Sequence, residues 1–249
     1  MPKTAAILVI GDEILSGRTQ DTNTNTIARF LANMGIDLKE VRVVGDVEAE
    51  IVAALNALRS RYDFVFTTGG IGPTHDDITA DAVAKAFGLD IGYHPDAYAQ
   101  LEARYPPGEF TEARKRMART PHGASLVVNA ISAAPGFHIG NVYVLAGVPK
   151  VMAAMLETLA HELPRGQAMT SVTVEADMPE GKIAAGLAGL QNDHPEVAIG
   201  SYPFYREGAA NPFGAQLVIR GRDAEAVERV AAALERMLKG LGAAPQRVN

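Results

Sequence analysis

The sequence contains no cysteine and no tryptophan. Without a thiol, disulfides, thiolate zinc sites, iron–sulfur clusters and a cysteine nucleophile are all excluded. Positive charge is also in deficit: 23 Lys and Arg face 29 Asp and Glu, a net charge of −6. Broad electrostatic attraction to nucleic acid or to an anionic membrane surface is therefore not expected. Long hydrophobic runs are missing too. The apolar stretch after Met1-Pro2-Lys3-Thr4 stops at Gly11-Asp12-Glu13, too short for a signal-peptide core or a membrane span, so the expected location is cytoplasmic. What is present is 47% hydrophobic and 21% charged residues with 24 glycines, the make-up of a soluble α/β protein. A length of 249 residues allows a domain of ordinary size plus a small one.

Residues 4 to 10 (TAAILVI) form a short apolar run ending at a glycine, as a strand buried on both faces does. After a polar loop, Thr22 or Asn23 can cap a helix that buries Ile27, Phe30, Leu31 and Met34 before Gly35 stops it. The alternation continues with a strand over 38–44, a helix over 49–61, a strand over 64–67 and a helix over 79–87. This βαβ winding predicts a mostly parallel sheet with right-handed crossovers. Helices over 97–104 and 111–118, separated by Pro106-Pro107-Gly108, read as an insertion near the site. Strands follow at 125–128 and 137–145, the second a hairpin turning at Gly140-Asn141, and then a helix over 149–163 that opens with Pro149. Pro164-Arg165-Gly166 divides the chain into residues 1–166 and 167–249. The second part reads β-α-β-β-α, a small α+β unit of split-βαβ type.

The segment Gly69 to Asp77 follows an apolar strand and precedes a helix, at the sheet edge where open α/β folds bind ligands. Gly69, Gly70 and Gly72 let the backbone approach a ligand, Pro73 fixes one φ, and Thr68 and Thr74 offer hydroxyls. The loop is built as an anion cradle, although it matches neither the Walker nor the Rossmann spacing. Asp76 and Asp77 read in two ways. One caps the following helix while the other complements its dipole, or the pair holds a Mg²⁺-like ion against phosphate oxygens. Asp12 and Glu13 after the first strand and Asp46 after the second are expected to open on the same edge. The run Arg114-Lys115-Arg116, with Arg119 and His122, could place one cation on a pyrophosphate but reads better as a solvated helix face, with Arg116 the choice if one counts. Gly186-Leu187-Ala188-Gly189 mimics an RNA-binding G-x-x-G but lies in a predicted helix without flanking basic residues, so helix packing explains it better.

Five motifs in order carry a resemblance: Gly11-Asp12-Glu13-Ile14-Leu15, Asp21-Thr22-Asn23, Thr68 through Thr79, Ala134-Pro135-Gly136-Phe137 and Gly147-Val148-Pro149. Together they resemble the signature of the CinA-type molybdopterin-binding domain, and the first three, as the block Gly11 to Asn23 and the loop with His75, also resemble the N-terminal domain of eukaryotic FAD synthases. Residues 170–249 resemble more loosely the small KH-like middle domain of CinA proteins. The resemblance implies a Mog-like three-layer fold that binds molybdopterin or an adenine nucleotide over the glycine-rich loop. It further implies metal-dependent hydrolysis of ADP-ribose to AMP and ribose 5-phosphate, or of FAD in the FAD-synthase relatives, with a divalent ion such as Mg²⁺, Mn²⁺ or Co²⁺. Asp46 and Asp77 match the acids used for metal and chemistry, and Gly69, Gly70, Gly72 and Thr74 match the binding loop.

Two departures matter. Ala146 stands where relatives carry Pro, and the sequence stops at Asn249 without a deamidase or FAD-forming domain, so neither of those activities is expected. Catalysis is assigned to Asp77, Asp46 and Glu13, and ligand contacts to Thr68, Gly69, Gly70, Gly72, Pro73, Thr74, Asp76, Asp12, Asn23 and Arg116. The partner is a small-molecule nucleotide or molybdopterin rather than nucleic acid or membrane, and the superfamily implies a homodimer or trimer. Adenylyl transfer onto molybdopterin and a non-catalytic binding module are the alternatives to hydrolysis.

Overall fold

A computed structural model describes residues 2–207 and 212–248. The chain divides into two units, Met1–Gly166 and Gln167–Asn249. In chain order the first unit contains β1 (Thr4–Ile10), α1 (Asp12–Leu15), α2 (Asn23–Met34), β2 (Asp37–Val44), α3 (Glu48–Arg59), β3 (Phe64–Thr68), α4 (Thr79–Phe87), β4 (Ile91–Tyr93), α5 (Pro95–Arg104), α6 (Glu112–Lys115), a 3₁₀ turn at Arg116–Ala118, β5 (Arg119–Pro121), β6 (Ser125–Val127), β7 (Gly136–Ile139), β8 (Val142–Leu145) and α7 (Pro149–Leu159).

Six of these strands form one sheet in the order β2-β1-β3-β8-β7-β6. The first four run parallel, β7 runs antiparallel to β8, and β6 runs antiparallel to β7. Because side chains alternate along a strand, β1 serves two cores. Ala5, Ile7 and Val9 join α2 and α7 residues such as Ile27, Leu31 and Met152, whereas Ala6, Leu8 and Ile10 join Ile51, Leu55 and Leu58 of α3 and Val83 of α4. The apolar run thus becomes the middle layer of a three-layer α/β fold, as the winding predicts. The hairpin also forms where expected, with Gly140 at φ 56°. Asn141 Nδ2 donates to the carbonyls of Arg59 and Tyr62, each at 2.9 Å.

The short elements were not foreseen. α1 lies in what reads as a polar loop, and β4 and β5 pair only with each other. The cap of α2 also differs: Asp21 Oδ1 accepts from the amides of Asn23 at 2.9 Å and Thr24 at 3.1 Å. Thr22, in the capping position, makes no side-chain cap bond.

The second unit contains β9 (Thr170–Ala176), α8 (Glu180–Asp193), β10 (Ala198–Tyr205), β11 (Phe213–Gly221), α9 (Ala224–Gly240) and β12 (Gln246–Val248). Its antiparallel sheet has the order β10-β11-β9-β12, the expected β-α-β-β-α order with a final edge strand added. Ile183 of α8 and Val227, Val230, Leu234 and Leu238 of α9 cover one sheet face. A β-carbon on Gly186 would collide with Met237 Sδ. The G-x-x-G therefore serves close helix packing at its first glycine, while Gly189 faces open space.

Asp63 gives the fold a pH signature. Its carboxylate accepts from Lys3 Nζ at 2.7 Å, Thr4 N at 2.8 Å and Thr4 Oγ1 at 2.9 Å, and these bonds, Lys3 foremost, lower its pKa from 3.8 to about 2. A depressed carboxylate stabilises the fold above the unfolded value and loses that contribution as pH falls through the folded one. The stability difference between wild type and Asp63→Asn should thus be constant above about pH 5 and shrink as pH falls from 3.8 to about 2. Urea titrations at several pH values measure it, and a difference independent of pH would contradict the assignment.

Candidate functional site

The exits of β1, β3 and β8 are pressed together at the carboxyl edge of the sheet. A β-carbon on Gly69 would run into the Ile10 carbonyl, and one on Gly147 would stand 3.3 Å from Gly69 Cα. Gly69 has φ 106° and Gly70 φ 66°, a region open to glycine and costly for other residues. Thr79, at the start of α4, closes the loop from below: its Oγ1 donates to Gly69 O at 2.9 Å and its N to Gly70 O at 3.0 Å. Among the described residues, the amides of Gly70, Ile71 and Gly72 donate to no protein acceptor. These three N–H groups form the cradle read from the glycine spacing.

Above the cradle lies a cavity of 560 Å³ whose lining is mainly apolar, with Ile71, Met117, Val148 and Val151 on its walls and Glu13, Thr19, Asp77 and Ser132 supplying side-chain polar groups. A few polar groups in an apolar hollow are what a ring-bearing ligand needs for burial and orientation. Gly69, Gly70, Gly72 and Pro73 line it as well.

The expected ligand residues separate into groups. Thr68 and Asn23 are buried struts: Thr68 Oγ1 donates to Ala146 O at 2.8 Å, and Asn23 Nδ2 donates to Thr68 Oγ1 at 2.8 Å and Gly147 O at 2.7 Å. Their donors are consumed in joining α2 and β3 to the loop after β8. Asn23 keeps one buried acceptor, Oδ1, without a protein partner among the described residues. It lines a 60 Å³ cleft with Glu13, Thr19 and Asp21.

Asp77 does not cap α4. Its Oδ2 accepts from Thr74 N at 2.8 Å and Thr74 Oγ1 at 2.5 Å, so the Thr74 amide is spent on holding the loop rather than offered to a ligand. A β-carbon on Gly72 would stand 2.6 Å from the same oxygen, so a side chain there would have to displace the Asp77 carboxylate. His75 and Asp76 are exposed at the tip of the loop, their side chains 3.9 Å apart.

Asp46 faces a different set of acids. Its Oδ2 accepts from Asp12 N at 2.9 Å. Burial raises its pKa against that bond, and the charges of Asp12, Glu13 and Asp76 raise it further. Asp46 thus stands among Asp12, Glu13 and Asp76, and Asp77 is fixed locally by Thr74. Among the described residues, no cluster of three or more His, Asp or Glu side chains stands ready to hold a metal ion.

The basic run resolves residue by residue. Arg114 stacks over Tyr105 at 4.3 Å, Lys115 pairs with Glu112 at 2.6 Å, and Arg116 Nη2 donates to Asp77 O at 3.3 Å. Arg116 alone turns to the loop, with Nε buried and unpartnered. Arg119, weighed with that run, grips Asp81 of α4 through two bonds, 2.6 and 3.2 Å. One contributor was missed. Asn129 organises the loop that carries Ser132: its Nδ2 donates to Ser132 Oγ at 2.6 Å and Ala134 O at 2.9 Å, while its Oδ1 accepts from Ile131 N. Ala133 in that loop sits at φ 61°, left-handed for a residue with a β-carbon. The run Ala134 to Phe137 marked the place, but nothing in it pointed to Asn129.

A family model described as a probable molybdopterin binding domain matches residues 6–165. The chain belongs to the CinA-type molybdopterin-binding family. A second model, the middle domain of FAD synthase, matches residues 168–246. A CinA-like protein of Syntrophotalea carbinolica is 37% identical over 66% of this chain and 42% of its own length. A probable FAD synthase of Caenorhabditis briggsae is 32% identical over 96% of this chain, which spans 50% of the worm protein's length. Among solved structures, a CinA protein of unknown function from Thermoplasma acidophilum is 35% identical, with a TM-score of 0.62 over 65% of this chain and 98% of that one. The CinA-type domain is thus the first unit; four of its five motifs contribute residues to the cavity, and Asp21-Thr22-Asn23 lines the neighbouring cleft. No helix among the described residues is long and apolar enough to cross a membrane.

The buried bridge is the simplest part of the site to test. Asn23→Ala removes two donors and leaves the Gly147 carbonyl unpaired, a loss of about 1–3 kcal/mol. Urea denaturation measures it, and a loss below about 0.5 kcal/mol, the scale of ordinary surface substitutions, would show that the bridge does not hold the loops together.

Proposed function

We propose that the chain is a nucleotide pyrophosphatase that hydrolyses the diphosphate bond of ADP-ribose or an FAD-like dinucleotide, releasing AMP. The observation that carries this reading is the apolar 560 Å³ cavity over three unpaired amides. The apolar walls suit a nucleobase or other ring, and the Gly70, Ile71 and Gly72 amides suit phosphate oxygens on which charge builds in the transition state. The guanidinium of Arg116, which donates to Asp77 O, adds positive charge to the same loop.

A divalent cation fits the residues present. The donors are hard oxygens, and the pKa of Asp46 is raised, first by burial and then by the charges of Asp12, Glu13 and Asp76. A Mg²⁺-like ion needs only one or two carboxylates when substrate phosphates and water complete its shell, so the lack of a three-acid cage is no obstacle. Asp46 with Asp12 would hold it, and it would supply neutralisation of the diphosphate. In this reading, water attacks phosphorus as the phosphorus bond to the bridging oxygen breaks, and Glu13 takes the proton of the attacking water. The loop amides orient the group being cleaved, and the apolar walls exclude competing water. Asp77 keeps the cradle in shape through Thr74.

Adenylyl transfer onto molybdopterin remains the second reading, favoured by the family description, and it requires ATP and molybdopterin together. Purified chain with ADP-ribose, FAD or NADH and Mg²⁺, Mn²⁺ or Co²⁺ is expected to release AMP, followed by chromatography, and a chelator should stop it. Glu13→Gln should lower kcat by roughly 10²-fold with KM little changed. No AMP from any pairing of substrate and metal, or Glu13→Gln and Asp77→Ala both equal to wild type, would overturn the proposal.

A further inference from the structure

Strand β2 is one of the two outer strands of the six-stranded sheet and, among the described residues, bonds only to β1. Gly11 N donates to Val44 O at 3.1 Å, which fixes the direction of the main chain. In a parallel ladder alternate residues bond to the same neighbour, so Glu40, Arg42 and Val44 turn their main-chain groups toward β1. The N–H and C=O of Val41 and Val43 face outward. An open strand edge of this kind is a template for another strand. The register shift at Ala5/Ala6 leaves Lys39 as an extra residue in β2, and bulge and lysine blunt the first half of the edge. Residues 40–44 contain neither device.

The same edge is apolar. Val41 and Val43 are 40% and 39% exposed, and Leu15, whose side chain lies against Gly45, and Val47, just beyond the strand, are 58% and 49% exposed. The charges are fixed in place: Glu40 accepts from Arg42 Nε at 2.6 Å and Tyr62 Oη at 2.7 Å.

This pattern is complementary to itself. Placing β2 antiparallel against a second β2 with the two-fold axis at Val41 sets Val41 opposite the partner's Val41 and Glu40 opposite the partner's Arg42. Val43 then lies against the aliphatic stem of the partner's Lys39. Glu40 and Arg42 occur twice, so four charges alternate in sign across the junction. Centring the axis on Glu40 or Arg42 instead puts like charges face to face, which is unfavourable. We propose that the outer edge of β2 is a homodimer interface, in which the β2 strands of two copies pair antiparallel about a two-fold axis through Val41. Such an interface is isologous and joins the two sheets into one.

Sedimentation velocity of the full chain over a concentration series tests this, with circular dichroism as the check on folding. Wild type is expected to dimerise. Val41→Lys changes an already exposed position and should yield a folded monomer. Glu40→Arg alone and Arg42→Glu alone should each weaken self-association about tenfold or more, because each sets like charges opposite one another. An equimolar mixture of those two variants should form a heterodimer, since every facing pair is then of opposite sign, and the double variant Glu40→Arg/Arg42→Glu should self-associate again. A monomeric wild type, a Val41→Lys protein that stays dimeric, or charge variants that fail to rescue each other in the mixture would overturn the assignment.

Discussion

The site depends on one steric constraint, the contact between the main chain at Gly69 and the carbonyl of Ile10. Because no β-carbon fits there, the exit of β3 lies directly against the exit of β1, and the chain must leave the sheet in a conformation that suits glycine. Thr79 locks that path by binding the Gly69 and Gly70 carbonyls. With those carbonyls occupied, the amides of Gly70, Ile71 and Gly72 have no protein acceptor among the described residues. The cradle is thus a by-product of close strand packing, and its donors are fixed before any ligand arrives, which is the condition for electrostatic stabilisation without reorganisation.

Electrostatics around the cradle divide the work between two carboxylate groups. Asp77 is consumed locally by Thr74, three residues earlier, and shapes the loop. Asp46 is held by the Asp12 amide, half-buried among other acids, with its ionised form penalised by burial and by their charge. A cation relieves that penalty, and so does protonation. Binding of a divalent ion should therefore strengthen as pH rises and Asp46 loses its proton.

The sheet was legible in the sequence because its signals are strong and local. The seven-residue run of β1 alternates between two buried faces, and Gly35, Gly140 and Pro149 punctuate the elements they border. The three- and four-residue elements α1, β4, β5 and β12 were not legible, since so short a segment carries no periodicity and its structure is set by distant partners. The same physics limited the reading of the site. The glycine spacing located the loop, and neighbouring strand ends indicated the acids. What the spacing did not show is the local bond from Thr74 that fixes Asp77. Asn23 belongs to a motif that reads as ligand-binding, yet its amide is spent on a carbonyl 124 residues away, a pairing that no local pattern encodes. Arg116 separated from its two basic neighbours only because Tyr105 and Glu112 take those neighbours up.

The central claim is that a phosphate group sits on the Gly70, Ile71 and Gly72 amides with its ring against the apolar walls. A crystal structure of the chain with AMP and Mn²⁺ tests it most directly. The account predicts phosphate oxygens within hydrogen-bond distance of those amides and the adenine beside Ile71 and Val148. Nucleotide density away from the glycine loop would contradict it.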